Sequence, residues 1–285
     1  MMAVCRWALR SSEPSLARGM READVAQPDL AQPDRPGSPR SVELWFVDLN
    51  SCAEALNAVE TATPRLDKNE LKKIAGSASP AAAAERRASY IALRILIERF
   101  WGPAWRTVAY TLTGSGKPTL TGLDGSFSLA HVDRFALIGL ARARTIGVDL
   151  EPDRQPTVAD RRRVRIESAA IALARGAALP QSRQPRFLQA WVRLEAVAKA
   201  DGRGIGRLLT GLSIIGPDPA DGPEFSADYA HEIATRFWLQ DVAVSNSCVA
   251  AVALDGELPS GLSAMIFPSA ANAIESIVSS AKIQS

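Results

Sequence analysis

Two carboxylates alternate in Ile146-Gly147-Val148-Asp149-Leu150-Glu151, and the apolar run leading into them reads as a strand. Side chains on a strand repeat every second residue, so Asp149 and Glu151 face one side. Like charges at that spacing repel until a cation, a basic group or water neutralises them. Mg²⁺ takes oxygen ligands and commonly uses one or two carboxylates together with substrate phosphates. A strand end running into a solvated loop at Pro152 accounts for the same residues without a metal. A second pair, Glu195 and Lys199, is four residues apart, which puts both on one helix face. Trp191 precedes Glu195 by the same interval and makes the stripe partly apolar, as beside a cleft. The ordinary alternative is a surface ion pair that stabilises by roughly 0.3–0.5 kcal/mol.

Three single residues stand beside these pairs. Gly116-Lys117-Pro118 presents Lys117 on a constrained turn, His131 closes the run Phe127-Ser128-Leu129-Ala130, and Arg86 lies on an arginine-bearing helix. Each also has a plain structural reading, as a surface cation or a satisfied histidine. Other chemistries are set aside. Gly202-Arg203-Gly204-Ile205-Gly206 follows a helix instead of opening one, so it lacks phosphate-loop geometry. There is no Gly-x-Ser-x-Gly elbow and no Cys/His metal spacing. His231, with Asp228 and Glu232 nearby, reads as exposed in an irregular segment.

These residues need elements to hold them. Helices are expected over 51–60, 81–100, 158–175 and 186–200, the last ended by Gly202. Strands are expected at 42–47, 108–112, 119–120, 127–129, 135–140, 146–150, 213–215, 235–242 and 249–254. Strands and helices come in groups and not in strict alternation, which predicts an α+β fold instead of a doubly wound sheet. The organisation expected is a disordered N-terminal tail over 1–40, an α+β half over 41–143, a second over 144–257, and a C-terminal tail over 258–285. The first tail is broken by Pro14, Pro28, Pro33, Pro36 and Pro39 and cannot bury enough apolar surface to offset its chain entropy.

Composition bounds the partners. The 285 residues carry 33 Lys and Arg against 31 Asp and Glu, a net charge of +2, so no global field draws the chain to nucleic acid or an anionic membrane. Apolar runs stay short of the ~20 residues that span a bilayer. Cys5, Cys52 and Cys248 are too scattered for a disulfide framework, which fits a reducing cytoplasm.

Taken in order, the motifs resemble the Sfp-type 4′-phosphopantetheinyl transferases. That family runs through a Gly-Lys-Pro turn, a Phe-x-x-Ser-His strand end, a Gly-(Val/Ile)-Asp-(Ile/Leu)-Glu strand and a Trp-x-x-Lys-Glu-Ala-x-x-Lys helix, followed by Ala-x-Gly-x-Gly. This chain has Gly116-Lys117-Pro118, Phe127 to His131, Gly147 to Glu151, and Trp191 to Lys199 followed by Ala200-Asp201-Gly202-Arg203-Gly204. The resemblance extends over about residues 42–254. It implies two similar α+β halves in a pseudo-two-fold arrangement, with the active site in the cleft between them. The implied activity transfers the phosphopantetheine arm of coenzyme A to a serine of an apo acyl or peptidyl carrier protein, releasing adenosine 3′,5′-bisphosphate.

By the same resemblance Asp149, Glu151 and Glu195 hold Mg²⁺ on the pyrophosphate. Lys199 steadies the leaving phosphate, and Glu195 or a water held by the metal takes the serine proton. Arg86, Lys117 and His131 grip the 3′-phosphate and nucleotide of coenzyme A. The implied enzyme is a cytoplasmic monomer with an acidic carrier as partner, and the Arg161-Arg162-Arg163-Val164-Arg165 run is a candidate docking face, or a solvated helix face. Three positions depart from the pattern. Leu194 replaces the lysine before the glutamate, with Arg193 a possible stand-in, and Ala130 and Val132 flank His131 without hydroxyls. These departures motivate an alternative: a non-catalytic module that binds coenzyme A or a carrier on the same fold.

Overall fold

The computed structural model describes residues 42–114, 116–154, 158–216, 225–245, 247–257, 259 and 261–280. The expected tail over 1–40 lies outside the described residues. The fold is mixed α+β, as the sequence pattern predicts.

The first layer is a four-stranded sheet. Strand β1 (Val42–Asp48) pairs antiparallel with β5 (Phe135–Ala141), which pairs in turn with β4 (Ser126–Val132). Helix α1 (Leu49–Ala62) starts directly after β1. The Asp48 side chain caps it by accepting from the amides of Asn50 and Ser51, and pairs with Arg134 of the β4–β5 turn. Helix α3 (Pro80–Trp101) begins at a Ser79 cap with Pro80 in its first turn and ends at Gly102, whose φ of 104° halts the helix. Its residues Ile91, Ile95 and Leu96 are fully buried with Leu56 of α1 and Ile138 of β5 in one core.

A short helix absent from the sequence expectation, α2 (Lys68–Ala75), sits between α1 and α3. Asp67 and Glu70 form a reciprocal capping box at its start. The fully buried Arg94 of α3 donates to Glu70 at 2.8 Å and to Asp67 at 3.0 Å, which fastens α2 to α3. A small hairpin of β2 (Thr111–Leu112) and β3 (Pro118–Thr119) carries the Gly116–Pro118 turn.

The second sheet is built on β6 (Ile146–Pro152), which pairs antiparallel with β8 (Cys248–Asp255), itself paired with β7 (Phe237–Asp241). Helices α4 (Asp160–Leu173) and α5 (Arg183–Asp201) cover it, with the shorter α6 (Ile205–Gly211) and α7 (Ala227–Arg236) beside them. Gly202 ends α5 in the left-handed region, with φ of 73°.

Three expectations are corrected here. Residues 213–215 are no strand: they form the turn after α6, where Ser213 has φ of 58° and Ile214 is buried. His231 lies on α7 and not in an irregular segment, although it is exposed as expected. Residues expected within a C-terminal tail instead form β9 (Ala264–Ile266), parallel to β1, and α8 (Ala271–Ser280). Phe267, Ile274 and Val278 are buried in the core under α1 and α3. Among the described residues no helix is long and apolar enough to cross a membrane.

Candidate functional site

The chemistry-bearing residues are set by one close contact between β6 and α5. A Cβ on Gly147 would lie 2.1 Å from the carbonyl oxygen of Ala196 and 2.3 Å from the amide nitrogen of Ala200. Only glycine allows the helix backbone to rest on the strand at that distance. Ile146, Val148 and Leu150 pack into the core shared with the four-stranded sheet. Alternation therefore turns Gly147, Asp149 and Glu151 to the α5 side. On α5 the face carrying Trp191, Glu195 and Lys199 is half-buried, while Leu194 and Ala198 are buried in the core.

The result is an ion pair between elements. Lys199 Nζ donates to Asp149 Oδ1 at 2.6 Å, and the carboxylate is largely buried. Its other oxygen, Oδ2, is buried without a hydrogen-bond partner. Glu151, one strand repeat on, pairs with Arg154 at 2.7 Å. Glu195 lies one helical turn before Lys199.

A cavity of about 390 Å³ opens beside this pair. Lys117, His131, Glu195 and Lys199 line it, as do Ser128 and the glycines Gly116, Gly202 and Gly204. Its other wall includes Lys73 of α2, Tyr90 and Leu93 of α3, and Tyr110. Four of the seven residues singled out from the sequence therefore meet at one cavity. Asp149 joins them through Lys199, and Glu151 stands beyond it on Arg154. Arg86 is not on the lining: its guanidinium donates to the Lys73 carbonyl and to Ser77 Oγ, both at 3.0 Å, and closes the end of α2. Its charge still reaches His131.

Electrostatics in the cavity are strained. Burial, reinforced by the negative charges of Asp149 and Glu151, pushes the Glu195 carboxyl up to about 7 against the relief from Lys199. Burial raises the Asp149 and Glu151 carboxyls too, partly offset by Lys199 and by Arg154 respectively. Burial lowers the Lys117 ammonium to about 8. That ammonium donates to backbone carbonyls, at 2.6 Å to Lys199 and 3.2 Å to Ile146, so it ties the β2–β3 turn to the last turn of α5 and the start of β6. His131 is exposed at the rim, yet the surrounding protein and the charges of Arg86 and Lys199 hold its imidazole below its ordinary value. Carboxyls pushed up beside ammonium groups in a cavity are a common mark of a functional site.

Asp149 and Glu195 offer only carboxylate oxygens, and one oxygen of Asp149 is buried without a hydrogen-bond partner, which suits a hard cation such as Mg²⁺. As the side chains stand, no three His, Cys, Asp or Glu groups among the described residues are arranged to hold a metal ion. Lys199 engages Asp149, and Arg154 engages Glu151.

Two expectations about neighbours fail. Arg193 does not stand in for a lysine beside Glu195: it is buried, pairs with Asp241 at 2.8 Å, and donates to the carbonyls of Ala177 and Ala178. The arginine run of α4 is not one exposed face. Arg161 and Arg162 are exposed, Arg163 packs over the Phe187 ring at 4.7 Å, and Arg165 is buried. Lys73 was beyond the sequence reading because α2 was. The Asp67-x-x-Glu70 capping signature is the signal that could have found it.

No protein-family model matches the chain, and no curated protein matches it closely enough to count as a relative.

Proposed function

We propose that this chain transfers the 4′-phosphopantetheine arm of coenzyme A to a serine of an apo carrier protein, releasing adenosine 3′,5′-bisphosphate. The observation that carries the reading is the grouping of Lys117, His131, Glu195 and Lys199 on one cavity, with Asp149 held on Lys199. That grouping has the sequence order and spacing of the motifs that resemble Sfp-type 4′-phosphopantetheinyl transferases.

In this reading the serine oxygen attacks the phosphorus that bears the pantetheine arm, and the anhydride bond to the nucleotide breaks. The electron pair leaves with adenosine 3′,5′-bisphosphate, and negative charge builds on its phosphate. Lys199 is the ammonium placed to stabilise that charge. Glu195, with a carboxyl near neutrality, takes the serine proton. Lys73 and His131 line the same cavity and would orient the phosphates of coenzyme A, with Arg86 adding its charge from behind. Lys117 acts differently: it secures the Gly-Lys-Pro turn against α5 and so shapes the wall that faces the nucleotide. Mg²⁺, when bound, would neutralise the pyrophosphate and polarise the reacting phosphorus. Asp149 and Glu195 would hold it, with Glu151 joining on release from Arg154.

The finer architecture belongs to the same proposal: two similar α+β halves about a pseudo-two-fold, with coenzyme A in the cleft between them. A cytoplasmic monomer acting on an acidic carrier fits, with Arg161 and Arg162 as the exposed basic residues of α4 that would meet it.

A second reading has a specific observation behind it. Arg154 already neutralises Glu151, and Ala130 and Leu194 are buried in cores where the family has polar residues. A module that binds coenzyme A or a carrier without turnover would keep the cavity and omit the metal.

One experiment separates the two. The protein is incubated with Mg²⁺, a fluorescent coenzyme A conjugate and a panel of apo carrier proteins, and coenzyme A binding is measured alongside by calorimetry. Covalent labelling of a carrier serine supports the transferase. Binding without labelling across the panel supports the module, and neither result overturns both.

A further inference from the structure

The two sheets meet along β4 and β6, which belong to different hydrogen-bond ladders. Side chains bridge them instead. Ser126 Oγ accepts from the Ile146 amide at 2.8 Å and donates to the Arg144 carbonyl at 3.0 Å. Ser128 Oγ accepts from the Val148 amide at 3.1 Å. Both strands advance by two residues between these contacts, so the hydroxyls continue the rungs that a paired strand would supply. The next position of the series, Ala130, has no hydroxyl. Ser128 is therefore the last rung before Asp149.

We infer that Ser128 is a positioning residue that holds Asp149 in register with the cavity wall carrying His131. Both residues flanking this contact bear on the site. Val148 is fully buried and precedes Asp149, while Ser128 is itself buried and lines the cavity three residues before His131. Loss of the Ser128 acceptor leaves the Val148 amide without its partner in the core, and β6 then moves relative to β4. The Asp149–Lys199 contact rides on β6, whereas His131 rides on β4. Ser126 makes a similar bond one rung farther from Asp149, so it serves the join and not the carboxylate.

The inference rests on the transferase reading for its kinetic consequence and on the geometry alone for its structural one. Ser128→Ala, Ser128→Cys, Ser128→Thr and Ser126→Ala are compared with the parent protein. Backbone amide exchange by NMR at Val148 and Ile146 is read together with kcat and KM for coenzyme A in carrier labelling. Thermal melts identify any variant that fails to fold. Ser128→Ala and Ser128→Cys, the latter of nearly parental shape but a poor acceptor, should speed Val148 exchange at least tenfold. They should lower kcat about tenfold with KM changed less than threefold. Ser128→Thr should restore both quantities. Ser126→Ala should speed Ile146 exchange with kcat within twofold of the parent. Full kcat in a folded Ser128→Cys protein overturns the inference, as does unchanged Val148 exchange. If the parent labels no carrier, the transferase reading fails by itself. A crystal structure of Ser128→Cys then decides the positioning role: a displacement of Asp149 relative to His131, compared with the parent, supports it, and an unchanged separation overturns it.

Discussion

Lys199 Nζ lies 2.6 Å from Asp149 Oδ1 across the seam between α5 and β6, and the other oxygen of that carboxylate is buried without a hydrogen-bond partner. One half of Asp149 is thus engaged by a cation and the other is not. Such a buried acceptor costs stability unless something satisfies it. A divalent cation is the partner that the proposed chemistry supplies.

Asp149→Asn keeps the size of the side chain and removes its charge. We expect it to lower carrier labelling more than 100-fold while near-ultraviolet circular dichroism stays parental. Mg²⁺ should raise the melting temperature of the parent but not of the variant, since a ligand that binds only the folded state stabilises it by mass action, about 2.7 kcal/mol at 100 times its Kd. Differential scanning fluorimetry across a Mg²⁺ series provides the check. An equal shift in both proteins would remove Asp149 from the metal site.

Glu195 carries a pH dependence of definite sign. Its carboxyl is raised from 4.5 in the unfolded chain to about 7 in the folded protein. The folded state therefore binds that proton more tightly. This favourable linkage is fully present below pH 4.5 and is lost as pH rises through 7. Glu195→Gln has no proton to lose. Without Mg²⁺ the variant should gain on the parent as pH rises, by about 3 kcal/mol at pH 8, with little difference near pH 4.5. Urea unfolding at a series of pH values measures this, and a gap that does not change with pH would contradict the raised carboxyl. Saturating Mg²⁺ should narrow the gap at pH 8 by stabilising the parent.

The strand and helix that carry the site were legible because each has a strong period and a clear stop: Pro152 as the last residue of β6 and Gly202 after α5. Their face assignments followed from the same periods, which is why Asp149 and Glu151 share a side. What alternation does not reveal is the seam. That Lys199 meets Asp149 depends on helix backbone resting on Gly147, a tertiary fact that one glycine in a strand only hints at. Arg193 illustrates the converse. Its neighbour Glu195 faces the cavity, but a step of two along a helix turns a side chain away, and Asp241 takes it. Helix α2 was hidden by its length and polarity, and β9 by having three residues whose partner strand lies at the other end of the chain.

That last pairing yields an expectation about stability. Residues after 258 complete the core beneath α1 and α3, with Ile274 fully buried on α8. Ile274→Ala should cost about 2–5 kcal/mol, the range for emptying such a site. A chain ending at residue 260 should fail to fold cooperatively, because it also strips β9 from β1. Chemical denaturation of the first and limited proteolysis of the second give the readouts. Parental stability in either would return the segment to the status of a tail.

Gly147 provides the sharpest test of the seam itself. An added Cβ meets the Ala196 carbonyl oxygen at 2.1 Å and the Ala200 amide nitrogen at 2.3 Å, and both belong to helix backbone that cannot rotate aside as a side chain would. Gly147→Ala must lift α5 off β6. The cost expected is about 3 kcal/mol or more, at the upper end for overpacking. The lift also separates Lys199 from Asp149, so catalysis should fall further than the loss of folded protein accounts for. Folded fraction from circular dichroism, set against labelling per folded molecule, resolves the two effects. A Gly147→Ala protein with parental stability would show that the strand and helix do not touch, and with it the basis for grouping Asp149 and Lys199 would go.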